Sequence, residues 1–261
     1  MFHYTRAVGK VGGSIIFSYF SFIRPYAAKQ DKYPLEKRYQ KLSNLCKKVS
    51  DALQADLHIE GLENIPNQSC CFFSNHISMY DALAFLIALD KPFTFIAKKE
   101  SEKYPFIGKC VKSISGDFID RNDLKQSLRV MMKMEADLKS GTKNWLIFPE
   151  GTRNKDQMML LGEFHHGTFR PAMKAKVPLV PAVICGSALI FKTKPQFKKY
   201  PVYLKFLKPI MPSEYEGKTT QEVAQLVQNR IQQALTYEAR SYVHNEFLKL
   251  KSKKYRFNEI Y

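Results

Sequence analysis

The chain has 261 residues, 45% of them hydrophobic, which is enough to bury one core and predicts one large domain. Lys and Arg outnumber Asp and Glu by 41 to 24, and the formal charge of +17 indicates a polyanionic partner or surface, for which nucleic acid and anionic lipid both qualify. The five cysteines include no Cys-x-x-Cys pair, which argues against a disulfide framework or zinc knuckle and favours buried thiols in a reducing compartment.

The first element along the chain is an apolar stretch at residues 11–23, which follows Arg6 and Lys10 and precedes Arg24. It is shorter than the roughly 18 to 20 apolar residues that a spanning helix needs. A signal peptide has this order of charges, but a small-residue cleavage site is poorly matched, and a core helix is a further interpretation. Because the stretch is rich in Phe and Tyr and flanked by positive charge, we favour a helix that lies in or dips into the bilayer interface.

A second helix is predicted at residues 35–53, where apolar side chains recur on one helical face, at Tyr39, Leu42, Leu45, Val49 and Leu53. Pro25 and Pro34 interrupt the pattern before it, so two helices joined between these prolines are expected. Residues 1–55 are therefore interpreted as an N-terminal helical segment that associates with the membrane.

From Asp56 onward, short runs typical of β-strands alternate with helical patterns. The predicted strands are 57–60, 70–74, 93–97, 145–148, 179–184 and 202–207. The predicted helices are 79–89, 124–139, 168–176 and a last one near Thr219, which forms a capping box with Glu222. For residues 56–240 this alternation predicts an α/β domain with a mostly parallel mixed sheet flanked by helices. Residues 241–261 are expected to form a basic C-terminal tail.

The sharpest local signal lies where the second predicted strand ends, at His76 and Asp81. Ligands usually bind at strand ends in an α/β sheet. On one straight helix these two residues would lie about 140° apart, but across a strand-to-helix turn they can meet. With Ser78 as N-cap, Asp81 falls in the first helical turn, from which its carboxylate can reach the imidazole.

A His–Asp pair of this kind performs a defined chemistry. The carboxylate orients the imidazole and stabilises the imidazolium, while the other ring nitrogen removes a proton from a hydroxyl group. Since no Gly-x-Ser-x-Gly elbow is present, that hydroxyl is expected to belong to the substrate. An alternative interpretation makes Asp81 only a helix-capping acid and His76 an ordinary turn residue, and these residues alone leave both open.

A second signal follows the strand predicted at 145–148. Pro149 should end this strand, because proline has no backbone N–H to donate to a neighbouring strand. Gly151 permits an unusual backbone shape and leaves N–H groups accessible. Arg153 offers a planar fork suited to phosphate, and Thr152 adds a hydroxyl. Together with Glu150 they predict a site for phosphate and hydroxyl groups, whereas the alternative is an ordinary turn with an exposed Glu–Arg pair. Because carboxyl ends of parallel strands share one edge, this turn and the His76 turn are expected to face one cleft.

Four ordered motifs resemble those of the glycerolipid acyltransferases, and more narrowly those of the 1-acylglycerol-3-phosphate acyltransferases of bacterial phospholipid synthesis. The motifs are Asn75-His76-x4-Asp81, residues 116–121, residues 148–153 and residues 177–182, with a further Ala-Lys-Lys-Glu block at 97–100. The match covers residues 56–210 and implies the glycerolipid acyltransferase fold. It departs from the family at residues 164–167, where Phe-His-His-Gly stands in place of the usual Phe-Lys-Lys-Gly, which puts a fixed cation there in doubt.

The resemblance implies acyl transfer from an acyl thioester, on coenzyme A or acyl carrier protein, to the sn-2 hydroxyl of 1-acylglycerol-3-phosphate, which gives phosphatidic acid. It implies His76 as general base with Asp81 as its orienter, no metal and no bound cofactor. The resemblance implies that Arg153 binds the acceptor phosphate, in a pocket shaped by Glu150, Gly151 and Thr152. Further positive charge near the phosphate is implied for Lys98 or Lys99, of which Lys98 is preferred, and for Arg121.

The partners implied are a lysophospholipid acceptor, the acyl thioester donor, a membrane surface and, as a candidate, acyl carrier protein, but no nucleic acid. The expected location is the cytoplasmic face of the cell membrane, as a peripheral or monotopic protein. Three alternatives remain open at this point. They are a sister acyltransferase for glycerol-3-phosphate or another lysophospholipid, a non-catalytic basic membrane- or nucleic-acid-binding protein, and a hydrolase in which His76 activates water.

Overall fold

The computed structural model describes residues 2–154, 160–192 and 199–249. The centre of this part is a seven-stranded sheet with strand order β1-β7-β6-β2-β5-β3-β4. The strands are β1 (Ala55–Glu60), β2 (Cys71–Ser74), β3 (Phe93–Lys98), β4 (Asp117–Ile119), β5 (Asn144–Ile147), β6 (Leu179–Cys185) and β7 (Tyr200–Phe206). All neighbouring strands are parallel except β6 and β7. This confirms the mostly parallel mixed sheet that the sequence predicts.

The sequence-based prediction contains every strand except β4, which has only three residues and is too short to show a period. The central strands β2 and β6 are buried along their whole length. Such continuous burial is typical of parallel strands that are covered by helices on both faces.

The helices cover both faces of the sheet. They are α1 (Phe2–Ser18), α2 (Arg24–Ala28), α3 (Leu35–Ala52), α4 (Tyr80–Ala88), α5 (Pro105–Ser113), α6 (Leu124–Lys139), α7 (Arg170–Lys174), α8 (Leu189–Lys192), α9 (Pro212–Tyr215), α10 (Thr220–Ala234) and α11 (Arg240–Lys249). The right-handed crossover rule places α4 and α5 on one face, because β2, β3 and β4 follow one another towards one edge of the sheet. The chain then turns back through β5 to β6, so α6 and α7 lie on the opposite face and pack against each other.

Most predicted helices are confirmed, including the capping box at the start of α10, where Thr219 Oγ1 accepts the Glu222 N–H at 3.2 Å. The helix predicted at 168–176 begins as a 3₁₀ turn, His166–Phe169, and is α-helical only over α7. Helices α5, α8, α9 and α11 are absent from the prediction. The first part of the tail expected at 241–261 is helical in α11, and its Val243 is buried against the domain. Residues 250–261 of this expected tail lie outside the described residues.

The two helical stretches of the N-terminal segment are joined between Pro25 and Pro34, as predicted, and the first of them continues past Pro25 to Ala28. A π-helical turn, Tyr19–Ile23, joins α1 to α2, and the Arg24 N–H donates to the Tyr19 carbonyl. This wider turn accommodates a proline that has no N–H and would crowd the preceding turn of an α-helix. The break comes later, at Lys29, and Pro34 then precedes α3. In the described part of the chain, no helix is both long enough and apolar enough to cross a bilayer.

Arg38 joins the N-terminal segment to the α/β domain. This buried side chain donates to the Ser113 carbonyl at 2.6 Å and to Ser115 Oγ at 3.0 Å, so it ties α3 to the end of α5. Burial lowers the pKa of the guanidinium, and the nearby Glu36 and Asp31 carboxylates oppose this effect. The contact holds the N-terminal helices in a defined position against the sheet.

Strands β2 and β5 are neighbours and parallel, so their carboxyl ends lie side by side. The chain leaves β2 for α4 on one face and leaves β5 towards α7 on the other face. The two connections therefore leave on opposite faces, the arrangement in which a crevice forms at the carboxyl ends of the strands. Open α/β sheets bind their ligands in crevices of this kind.

Candidate active site

His76 and Asp81 form a hydrogen-bonded pair at the carboxyl end of β2. His76 Nδ1 lies 2.8 Å from Asp81 Oδ2. Asp81 is completely buried in the first turn of α4, and its Oδ2 also accepts the N–H groups of Ile77 at 2.7 Å and Ser78 at 2.8 Å. These three donors orient the carboxylate towards the imidazole.

The start of α4 differs slightly from the prediction that makes Ser78 the N-cap. The helix begins at Tyr80 with Met79 in the N-cap position. The Ser78 hydroxyl nevertheless accepts the Tyr80 N–H at 3.2 Å. Asp81 therefore accepts backbone N–H groups ahead of the helix and contacts the His76 ring at once.

The imidazole of His76 lies on the ring of Phe148, with ring centroids 4.3 Å apart and planes at 21°. Its side chain keeps 22% of its surface exposed, whereas that of Asp81 has none. With Nδ1 donating to the carboxylate, Nε2 is the free acceptor nitrogen of the neutral ring. No protein atom in the described part of the chain hydrogen-bonds to Nε2. The arrangement suits a general base that takes a proton from a ligand.

Glu150 binds the backbone of the His76 turn. Its buried carboxylate accepts the N–H of His76 at Oε1 (2.9 Å) and the N–H of Gly162 at Oε2 (2.8 Å). Burial raises the pKa of Glu150, and the two N–H groups oppose that effect. From the same turn, the Asn154 N–H donates to the His76 carbonyl at 2.7 Å. The two turns predicted to face one cleft are thus bonded to each other on both sides of His76.

We expect Glu150→Ala to lower the free energy of unfolding by about 3 kcal/mol, because it leaves two buried N–H groups without an acceptor. Denaturant unfolding of the variant and the parent protein measures this difference. A substrate-binding Glu150, as the family resemblance implies, would instead raise the KM for the acceptor and leave stability unchanged. Glu163→Ala, one residue beyond the Gly162 contact, is a control that should leave stability close to that of the parent.

Gly151 lies where glycine is needed. Its φ of +64° is left-handed, and a Cβ there would lie 3.0 Å from the His165 ring and 3.3 Å from Arg121 Nη2. The structure therefore brings the Arg121 guanidinium to the same turn as Arg153. The side chains of Thr152 and Arg153 are exposed at this turn. These two arginines supply positive charge at the turn that follows β5.

Lys98 and Lys99 lie at the carboxyl end of β3. Lys98 pairs with Glu100 at 3.1 Å, and Lys99 pairs with Asp120 at 2.9 Å. Neither lysine hydrogen-bonds to the His76 turn or the Glu150 turn within the described residues. Lys99 therefore pairs with the residue that directly precedes Arg121. Lys98, the preferred candidate from the sequence, pairs with Glu100 instead.

Some residues of the site have no role in the sequence-based prediction. Asn75 exchanges two hydrogen bonds with the backbone of Ile184, at 2.8 and 2.9 Å, and so fixes the end of β2 against β6. Ser187 donates to the second oxygen of Asp81. The signal that could have identified Ser187 is a polar residue two positions after the buried strand β6, which neighbours β2.

The adjacent histidines of the Phe-His-His-Gly stretch point in different directions. The His165 ring lies beside Gly151, and His166 Nδ1 lies 3.0 Å from the hydroxyl of Thr220 at the start of α10. His165 therefore belongs to the site, whereas His166 joins the stretch to α10.

Comparisons with known proteins identify relatives of this chain. A family model described as Acyltransferase matches residues 56–185. A probable 1-acyl-sn-glycerol-3-phosphate acyltransferase of Mycoplasma pneumoniae is 31% identical over 221 residues, which cover 80% of this chain and 82% of that protein. A 1-acyl-sn-glycerol-3-phosphate acyltransferase of Pseudomonas aeruginosa is 34% identical over 162 residues, 61% of this chain and 60% of that protein.

The fold is shared with a solved structure. The crystal structure of the 1-acyl-sn-glycerophosphate (LPA) acyltransferase PlsC from Thermotoga maritima aligns with a TM-score of 0.65 at 24% sequence identity. The alignment covers 94% of this chain and 92% of that chain. It therefore includes the N-terminal helical segment as well as the α/β domain.

Proposed function

The chain belongs to the 1-acyl-sn-glycerol-3-phosphate acyltransferase family, and we propose that it transfers a fatty acyl group from an acyl thioester to the sn-2 hydroxyl of 1-acylglycerol-3-phosphate. The product is phosphatidic acid. The observation that carries the proposal is the 2.8 Å contact between His76 Nδ1 and the buried Asp81, held beside an arginine-bearing turn.

In the proposed reaction, His76 Nε2 removes the proton of the sn-2 hydroxyl while that oxygen forms a bond to the thioester carbonyl carbon. Asp81 holds the imidazole in the required tautomer and stabilises the imidazolium. The tetrahedral intermediate then expels the thiolate, which takes the proton from His76. Hydroxyl and thioester thus become ester and thiol, and the histidine returns to its neutral form without any bound cofactor.

The oxyanion of the intermediate needs hydrogen-bond donors that are not already used. The Gly151 N–H already donates to the Phe148 carbonyl at 2.9 Å, so it is not available to the oxyanion. The N–H groups of Thr152 and Arg153 make no hydrogen bond within the described residues. We assign the oxyanion to these two donors, since donors already in place lower the energy of developing charge.

The acceptor phosphate is assigned to Arg153 and Arg121, whose guanidinium groups can form two parallel hydrogen bonds to phosphate oxygens. Arg121 Nη2 lies beside Gly151, and Arg153 follows two residues later on the turn whose Glu150 accepts the His76 N–H. Phosphate bound there would place the glycerol hydroxyl of the acceptor near Nε2. The donor is a thioester of coenzyme A or of acyl carrier protein.

A membrane-facing surface is proposed on the N-terminal segment. Three large apolar side chains there are mostly exposed, namely Ile16 (63%), Phe17 (72%) and Phe20 (61%). Tyr19 in the same turn contacts Phe106 of α5, beside the exposed Tyr104. Because α5 follows the carboxyl end of β3, this surface lies on the same side of the sheet as the site, which is at the carboxyl ends of the strands. A lipid acceptor could therefore reach His76 from the membrane, on the cytoplasmic side where acyl thioesters are made.

We expect the double variant Phe17→Ser/Phe20→Ser to bind vesicles of phosphatidylcholine and phosphatidylglycerol about tenfold or more weakly, because each ring loses apolar burial. Vesicle sedimentation measures the change. Tyr237→Ser, which removes an aromatic side chain of similar exposure on a distant part of the chain, should bind as the parent does. Equal vesicle binding by the double variant would refute the assigned surface.

An acyl-transfer assay tests the proposed function. Purified protein in detergent or vesicles receives palmitoyl or oleoyl thioester with lysophosphatidate, glycerol-3-phosphate or lysophosphatidylcholine in parallel. Phosphatidate formed with lysophosphatidate alone is the expected result. Product from another acceptor would move the chain to a sister activity, and thioester hydrolysis without transfer would indicate a hydrolase. A folded protein with no turnover would contradict the proposal.

A further inference from the structure

Ser187 lies under the His76–Asp81 pair, on the turn that follows β6. It is completely buried, and its hydroxyl donates to Asp81 Oδ1 at 2.6 Å. The preceding Gly186 has a φ of +84°, and a Cβ there would collide with the Pro201 carbonyl of β7. The close approach of β7 to this turn therefore fixes the backbone from which Ser187 reaches Asp81.

The hydrogen bonds of Asp81 divide between its two oxygens. Oδ2 receives three of them, from His76 Nδ1 and from the N–H groups of Ile77 and Ser78. Oδ1 receives the Ser187 hydroxyl and no other donor within the described residues. A buried carboxylate that lacks a donor is costly, and hydrogen bonds to charged groups are stronger than those between neutral groups.

We propose that Ser187 is a positioning residue for acyl transfer, which acts on His76 through Asp81. Its hydroxyl holds Oδ1 so that the carboxylate cannot rotate, and Oδ2 stays in line with His76 Nδ1. The bond also gives the buried Oδ1 a hydrogen-bond partner, so the carboxylate keeps the orientation in which it stabilises the imidazolium. The proposal rests on the proposed function, and it adds β6 to the two turns that build the site.

The test is a double-mutant cycle on kcat with Ser187→Ala and Asp81→Asn. Ser187→Ala alone should lower kcat about tenfold or more and leave both KM values within about twofold, since the lost hydrogen bond to a charged group acts through the base and not on the substrates. In the Asp81→Asn protein, Ser187→Ala should change kcat by less than about twofold. Equal factors in both backgrounds would overturn the proposal.

Two further variants separate positioning from folding. Ser113→Ala removes an equally buried hydroxyl that donates to the Cys110 carbonyl at 2.7 Å, away from the site, and should leave kcat unchanged. Ser187→Thr keeps the hydroxyl and should recover most of the lost kcat. A decrease in kcat by Ser113→Ala as large as that by Ser187→Ala would overturn the proposal.

A readout without turnover distinguishes failure of this proposal from failure of the proposed function. In protein with ¹⁵N-labelled histidine, the Nδ1 proton of His76, assigned by its loss in His76→Ala, should give a low-field resonance. Ser187→Ala should shift this resonance or broaden it by exchange. Turnover by the parent with an unchanged resonance and kcat in Ser187→Ala would overturn the role of Ser187 alone, whereas a folded parent without turnover contradicts the proposed function itself.

Discussion

Replacing His76 with alanine is expected to lower acyl transfer by about 10³-fold or more, the largest effect of any single change in this chain. The proposed base is lost, and the Asp81 carboxylate that remains faces a cavity instead of an imidazole. Because base and orienter act as a unit, adding Asp81→Asn to His76→Ala should lower kcat little further. Steady-state rates with saturating lysophosphatidate and thioester measure the effect.

The loss should not come from misfolding. The backbone contacts of residue 76, to Glu150 and from Asn154, do not depend on its side chain, so His76→Ala should unfold close to the parent temperature. His58→Ala provides a matched control, since this half-exposed histidine lies on the edge strand β1, three strands away from β2. Normal turnover by folded His76→Ala would refute the mechanism.

The second large effect is expected from Arg153→Ala, which should raise the KM for lysophosphatidate by about 10- to 100-fold, the equivalent of one or two charge-assisted hydrogen bonds. The KM for the acyl thioester should change little. The reason is that the exposed guanidinium of Arg153 is assigned to the phosphate of the acceptor and not to the phosphates of the donor. Initial rates over a grid of both substrate concentrations give the two KM values separately.

Two variants make this result specific. Arg153→Lys keeps the charge but loses the planar fork, so its acceptor KM should fall between those of the parent and Arg153→Ala. Arg129→Ala removes another exposed arginine, on the surface of α6, and should change neither KM. If Arg153→Ala raises the KM for the donor and leaves that for the acceptor unchanged, the arginine serves the other substrate.

The order and type of the main elements could be predicted from the sequence. Periodicity and strand-like runs depend on local residue choice, and they locate β2, β5 and β6 as buried strands and α3, α6 and α10 as helices. Strand β4 has three residues and is too short for a clear period, whereas helix α5 was not predicted although it is as long as α4. The continuation of the first helix through Pro25 could not be predicted either, because a π turn depends on hydrogen bonds five residues apart and not on the proline alone.

The site was partly predictable for the same reason. His76, Asp81 and the Glu150–Arg153 turn stand out because each follows an apolar strand, and parallel pairing of β2 with β5 then makes them neighbours. Their roles in catalysis and binding stay predictions. The direction of a side chain cannot be read from such a motif. The Glu150 carboxylate accepts the backbone N–H groups of His76 and Gly162, a contact that the motif did not predict.

The sequence by itself determined the α/β class, the position of the two motifs at strand ends and the family, since these depend on the order of residues along the chain. Only the tertiary structure decided which groups complete the site. Ser187 lies 106 residues from Asp81 in the chain, and Arg121 reaches Gly151 from β4. The physical reason is that the order of strands in the sheet brings these groups together, and the sequence does not state that order.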